Sequence, residues 1–197
     1  MEDTIVEFIV RQSYSTSLDA SIFGPAEDDE IILCLNYDGL YGINNINRFL
    51  QEANPNPGYS WGLQLYKVGD PVLFNESERF APLIYNNMKG RIIAITVFED
   101  QIQFDIELDK VINGLEARGY ELELLADSPN GHSVIRFVVD RYKSIDEDND
   151  ASSSAVVPFQ VSYAVSIHKA QGLEYNSVKI VITDEIEESV THDLFYS

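Results

Sequence analysis

An α/β domain that is interrupted by a β-rich insertion and then resumes is the fold class this sequence predicts. Three observations predict it. Ile31-Ile32-Leu33-Cys34-Leu35 and Val178-Lys179-Ile180-Val181-Ile182, the second apolar apart from Lys179, have the length and continuity of strands buried on both faces of a parallel sheet. A segment of helical period follows the first run after a short turn, so strand, loop and helix succeed one another as in α/β folds. Between the two runs lie several short β-rich segments separated by turn clusters, the pattern of a small barrel or sandwich.

Composition supports a packed chain. Of 197 residues, 45% are hydrophobic, and Phe (10) and Tyr (11) supply large core side chains, so a wholly disordered chain is excluded. Acidic residues outnumber basic ones 33 to 13, a formal charge of −20. Proteins that bind nucleic acid on their own carry a basic face, because neutralising phosphates supplies most of their non-specific affinity. This balance argues against strong nucleic-acid binding by the chain alone, and leaves room for a few local phosphate contacts beside a more basic domain. The single cysteine, Cys34, lies inside an apolar run and reads as a small core residue. Met1-Glu2-Asp3-Thr4 does not begin a signal peptide, and no apolar run approaches about 18 residues, so the expectation is a cytoplasmic protein without a membrane span.

Taken in order, the chain opens with the apolar run Ile5 to Val10, a Ser/Thr-rich stretch and the acidic loop Glu27 to Glu30. After the Ile31–Leu35 strand comes the turn cluster Asn36-Tyr37-Asp38-Gly39. Ile43, Ile46, Asn47, Phe49 and Leu50 then recur at helical spacing until Asn54-Pro55-Asn56-Pro57-Gly58 stops the helix. Val68-Gly69-Asp70-Pro71 is a turn leading into a strand. Arg91 to Phe98 and Gln101 to Leu108 form a hairpin about Glu99-Asp100, and Val111 to Arg118 is expected to be a short helix. Glu121 to Leu125 and Val134 to Tyr142 are further strands, joined through Ser128-Pro129-Asn130-Gly131. Ile145 to Ser154 reads as a solvated acidic loop. It lacks the central Gly and terminal Glu of a calcium loop, and no metal site is expected.

The chemistry concentrates in Tyr163-Ala164-Val165-Ser166-Ile167-His168-Lys169-Ala170-Gln171-Gly172-Leu173-Glu174-Tyr175, directly ahead of the last apolar strand. A hydroxyl and backbone N–H groups where a strand becomes a loop can grip a phosphate without reading a base. A glycine permits close backbone approach, and a carboxylate can accept from sugar hydroxyls. The string resembles motif V of superfamily 1 helicases: small hydroxyl residue, apolar, His, Lys or Arg, Ser or Ala, Gln, Gly, any, Glu. Every position of that pattern is filled. The resemblance implies that Ser166, His168 and Lys169 lie along a single-stranded DNA backbone and that Gln171, Gly172 and Glu174 face ATP. No residue of the chain is expected to be catalytic.

Two further stretches resemble the RecD-like (UvrD/RecD-type) branch of these ATP-dependent DNA helicases. Leu35 to Gln51 is similar to its motif IV segment, with Ile46-Asn47-Arg48-Phe49-Leu50-Gln51 in place of "LNxxLQ". A hydrogen bond from the helix to a loop is the plain alternative for Asn47 and Gln51. Tyr66 to Phe74, with Tyr85 to Ile92 after it, resembles the opening of the SH3-like barrel that these helicases insert into their second RecA-like (P-loop NTPase-like) domain. Lys89, Arg91 and aromatics near Tyr85 would then lie near the DNA, whereas the plain alternative is that Gly69 and Gly90 simply serve the turns of a barrel. The implied domains are 1–65 and 159–197 for the RecA-like part and 66–158 for the insertion with its acidic linker.

The implied cofactors of the whole protein are ATP and Mg, and the implied partners are single-stranded DNA and a first RecA-like domain. Ile180 to Glu185 superficially resembles a Walker B strand. The sequence contains no G-x-x-x-x-G-K-[ST] phosphate loop, so Asp184 and Glu185 are expected to be surface acids. Leu194-Phe195-Tyr196-Ser197 resembles the first residues of motif VI, without its arginine. The expectation is therefore a piece of a longer protein, inactive alone. Two alternatives stay open: a non-catalytic protein-interaction module, and an RNA rather than a DNA helicase.

Overall fold

The computed structural model describes residues 5–11, 29–75, 79–114, 117–125, 128–141 and 155–183. The Ser/Thr-rich stretch, the acidic segment after Ile145, the Asp184-Glu185 pair and the motif VI-like end lie outside the described residues. In chain order the elements are β1 (Ile5–Arg11), β2 (Glu30–Cys34), α1 (Ile43–Ala53), β3 (Gly58–Trp61), β4 (Gln64–Lys67), β5 (Pro71–Phe74), β6 (Lys89–Val97) and β7 (Gln101–Leu108). They continue with β8 (Glu123–Leu124), β9 (Val134–Asp140), β10 (Phe159–Val161), β11 (Ala164–Ser166), α2 (Ile167–Ala170) and β12 (Ser177–Thr183). The chain divides into two units, Met1–Ala53 with Ser162–Ser197, and Asn54–Val161.

The first unit holds a four-stranded parallel sheet in the order β1-β12-β2-β11. Parallel strands need crossover connections, and here one crossover carries α1 and the whole second unit before β11 joins the edge. Ile32, Cys34, Ala164 and Val181 of the sheet pack with Tyr41, Ile43 and Ile46 at the start of α1. Removing these apolar groups from water holds helix to sheet, at about 25 cal/mol per Å². Cys34 is buried in this layer, and burial pushes its thiol up to about 12. Lys179, the charged exception in its strand, is buried against Glu30 (Nζ to Oε1 2.9 Å), and the Ser177 hydroxyl donates to Glu30 Oε2 at 3.1 Å.

The second unit is built on an antiparallel sheet in the order β10-β5-β6-β7-β9-β8, with β3 and β4 as a separate hairpin. Alternation works as the sequence predicts: Ile102, Phe104, Ile106 and Leu108 of β7 are all buried. Phe74, Phe104, Phe137 and Phe159 meet in the core, where Phe159 lies edge-on to the other three and its centroid is 5.0 Å from that of Phe104 at 84°. Tyr66 of the hairpin sits edge-on to Phe104 and Phe159 at 5.2 and 5.6 Å.

Three expectations change here. The six strands do not close: β10 and β8 are the two ends of an open sheet, so the described residues form no closed barrel. Gly58 to Lys67, to which the sequence reading gave no strands, is the β3–β4 hairpin. No helix forms at Val111 to Arg118 among the described residues. Instead, the Ile112 amide donates to the buried Ser133 hydroxyl at 2.8 Å, a tertiary bond that wins over a weak helical period.

Candidate nucleic-acid and nucleotide interface

Register places the candidate residues. Ser166 pairs with Cys34 across β11 and β2, so the Ser166–Glu174 segment and the Leu35–Gly42 loop leave the sheet at the same, carboxyl end. Ligands of open α/β sheets bind at that edge. The Glu30, Ser177 and Lys179 cluster belongs to the opposite, amino end, where Ser177 pairs with Glu30. Stability and candidate chemistry are thus separated along the strands.

Ser166 ends β11 and caps α2. Its side chain accepts from the Lys169 amide at 3.3 Å, and its backbone is extended at φ −73, ψ 153, as an N-cap requires. The residue is only 8% exposed. Its oxygen is committed to the cap, while the hydroxyl proton can still be donated outward. His168 and Gln171 are exposed and Lys169 is partly buried. The Leu173 amide donates to Ala170 O at 3.0 Å and closes a turn through Gly172, whose φ of +80 is the left-handed conformation that glycine adopts without steric cost. Space about Gly172 is open, so its backbone is accessible to a ligand. Glu174 lies beyond the turn and is exposed. The structure therefore gathers the six sequence-predicted residues on one strand-to-turn segment.

The neighbouring loop folds back over the start of α1. The Ile43 and Asn44 amides donate to Asn36 O and Tyr37 O at 3.0 and 3.1 Å, so the first amides of α1 are already satisfied. A Cβ at Gly42 would lie 2.4 Å from Asp38 O, so only glycine lets the loop pack there. Asp38, Gly39, Leu40, Asn44, Asn45 and Arg48 line an open depression beside this loop. Arg48 is held within it by Asn45 (3.2 Å) and, more loosely, by Glu52 (3.8 Å).

Sequence reasoning missed how α1 reaches the candidate segment. The Asn47 side chain donates through Nδ2 to Ala164 O and accepts through Oδ1 from Ala164 N, both at 2.8 Å. The expected bond from helix to loop is thus a two-pronged bond from helix to edge strand. A signal was present, in that an Asn beside Ile43, Ile46 and Leu50 on the apolar side of the helix must find a partner, but its partner lies 117 residues away.

In the second unit the motif-like turn is structural. Buried Asp70 accepts from the Lys67 amide (2.8 Å) and from Asn54 Nδ2 (2.9 Å), while Asn54 and Asn56 both donate to Val68 O. Gly69 serves that turn, but Gly90 lies within β6 rather than in a turn. Lys89 pairs with Asp109 at 3.5 Å and Arg91 donates to Gly69 O at 3.0 Å. Lys110, which the sequence reading did not single out, sits 5.2 Å from the ring centroid of exposed Tyr85.

Pif1 helicases are among the solved structures that the chain is similar to. They include unliganded Pif1 from Bacteroides sp, at 14% identity over 83% of this chain and 54% of that one, TM-score 0.39. Pif1 helicase from Bacteroides in complex with ADP-AlF3 and ssDNA is 17% identical over 84% of this chain and 37% of that one, TM-score 0.46. This chain thus spans only about half or less of the length of those chains. No protein-family model and no curated protein matches the sequence. Among the described residues, no helix is long and apolar enough to cross a membrane.

Proposed function

We propose that the parallel unit is the second RecA-like domain of a superfamily 1, RecD-like DNA helicase, and that its Ser166–Glu174 segment binds single-stranded DNA on one side and ATP on the other. One observation carries the reading: a completely filled motif V string issues from the carboxyl end of an edge strand in a parallel sheet. The Ser166 hydroxyl donates to a phosphate oxygen while Lys169 and His168 supply positive or polar groups along the backbone. Glu174, an acceptor when ionised, suits ribose hydroxyls, and the open backbone at Gly172 admits the nucleotide. These residues fit the sugar side of ATP only. The chain has no phosphate loop, so the triphosphate and its Mg belong to a first RecA-like domain in the longer protein. One segment touching both ligands lets nucleotide binding alter the grip on the strand, the linkage that directed movement needs.

Antiparallel unit 54–161 is the insertion of that domain in this proposal, SH3-like in its opening turn. The test is anisotropy of a labelled oligothymidine at low salt, with His168→Ala and Lys169→Ala beside the parent chain. Weak binding that each variant lowers further supports the proposal; variants that bind as the parent does would remove it. An RNA oligonucleotide of equal length distinguishes the RNA alternative. The charge of −20 favours a second reading, a protein-interaction module, which gains if no oligonucleotide binds.

A further inference from the structure

β11 is three residues long and forms the edge of its sheet, so only one of its sides is paired with β2. Along a strand, successive residues direct their amide groups to opposite sides. Tyr163 O faces β2, where it accepts from the Ile32 amide at 3.2 Å, and Ala164 therefore turns its N–H and C=O outward. Ala164 is fully buried. Buried main-chain groups left without partners are strongly unfavourable, because they lose water and gain nothing in return. Asn47 satisfies both with one carboxamide, filling the place of a fifth strand.

We propose that Asn47 is a positioning residue for the ligand-binding segment. This rests on the proposed function above. Asn47 sits on α1, whose N-terminal loop lines the same edge of the sheet, and Ala164 is two residues before Ser166. Its amide thus ties helix α1 to the strand that presents the Ser166 hydroxyl, across the 117 residues between them. No other side chain type of this length offers a donor and an acceptor side by side. An aspartate keeps the acceptor for Ala164 N–H but turns a carboxylate oxygen toward Ala164 O. A glutamine keeps both groups but pushes the strand outward by one methylene.

The test uses the intact chain with Asn47→Asp, Ser166→Ala and the double variant, each checked for folding by circular dichroism; Asn47→Gln replaces Asn47→Asp if the latter does not fold. Two quantities are read. Amide hydrogen exchange at Lys169, which Ser166 caps, should accelerate in Asn47→Asp while exchange in β12 stays as in the parent. Affinity for oligothymidine should fall about fivefold in each single variant, the loss of one ordinary hydrogen bond, and no further in the double variant, since coupled groups are not additive. Unchanged exchange at Lys169, or losses that multiply in the double variant, overturns the positioning role and leaves the phosphate reading standing. If Ser166→Ala binds as the parent does, the phosphate reading falls and takes the positioning role with it.

Discussion

Cys34 shows how one buried side chain ties stability to pH. The thiol is raised from an ordinary 9.0 to about 12 because burial disfavours the thiolate. In the unfolded chain it loses its proton near pH 9, whereas the folded chain keeps it. Between those values the unfolded state binds fewer protons, so stability is full below pH 9 and falls as pH rises toward 12. Tyr66 acts in the same direction from an ordinary 10.0 to about 12. Urea unfolding of the parent at pH 8 and pH 10 should show this loss, and Cys34→Ala should lessen the part that begins near pH 9. Lys179 makes the complementary case. Its ammonium and the Glu30 carboxylate are both more than nine-tenths buried, so removing one leaves a buried charge without its counterpart. Lys179→Met is expected to cost about 3–5 kcal/mol in urea unfolding, and adding Glu30→Leu should recover much of it.

Among the elements, those defined by local pattern were legible in the sequence. The apolar strands β2 and β12, the amphipathic helix α1 with its Asn-Pro stop, and the β6–β7 hairpin all lie where period and turn residues put them. Elements that depend on a distant partner were not. The β3–β4 hairpin is only four residues a side, too short for alternation to stand out, and its order comes from packing Trp61 and Tyr66 into the core. The closed barrel failed for a similar reason: a turn motif predicts a hairpin but says nothing of whether the last strand meets the first. The turn at Gly172 permits a test at this scale. Gly172→Ala meets no atom but must hold φ +80, so it should cost about 1 kcal/mol in thermal unfolding. Gly42→Ala must also displace the Asp38 backbone, and should cost more and disturb the loop beside α1.

Charge acts on the whole molecule. At −20 the chain repels itself, and added salt screens that repulsion. Its melting temperature should therefore rise between low salt and about 0.5 M sodium chloride, where the screening length is a few ångströms. The oligonucleotide binding proposed at Ser166, His168 and Lys169 should weaken over the same range, because phosphate contacts release counterions. Opposite salt responses in one sample would separate the local site from the global field. If both rose together, binding would not be through phosphates. The isolated chain should show no ATPase activity above background, since it lacks a phosphate loop; turnover abolished by a Glu174 substitution would overturn that expectation.

Sequence alone determined what depends on order along the chain: an α/β domain divided by a β-rich stretch, a charge unsuited to unaided nucleic-acid binding, and a string resembling motif V ahead of a buried strand. Period, turn chemistry and spacing are local quantities, so they survive in one dimension. The tertiary structure alone decided which strands are neighbours and which polar groups meet. It put β11 beside β2 so that two loops share one edge, and brought Asn47 to Ala164 and Lys179 to Glu30 across more than a hundred residues. Those pairings follow from burial, because an inward-facing polar group must find a partner wherever the fold supplies one.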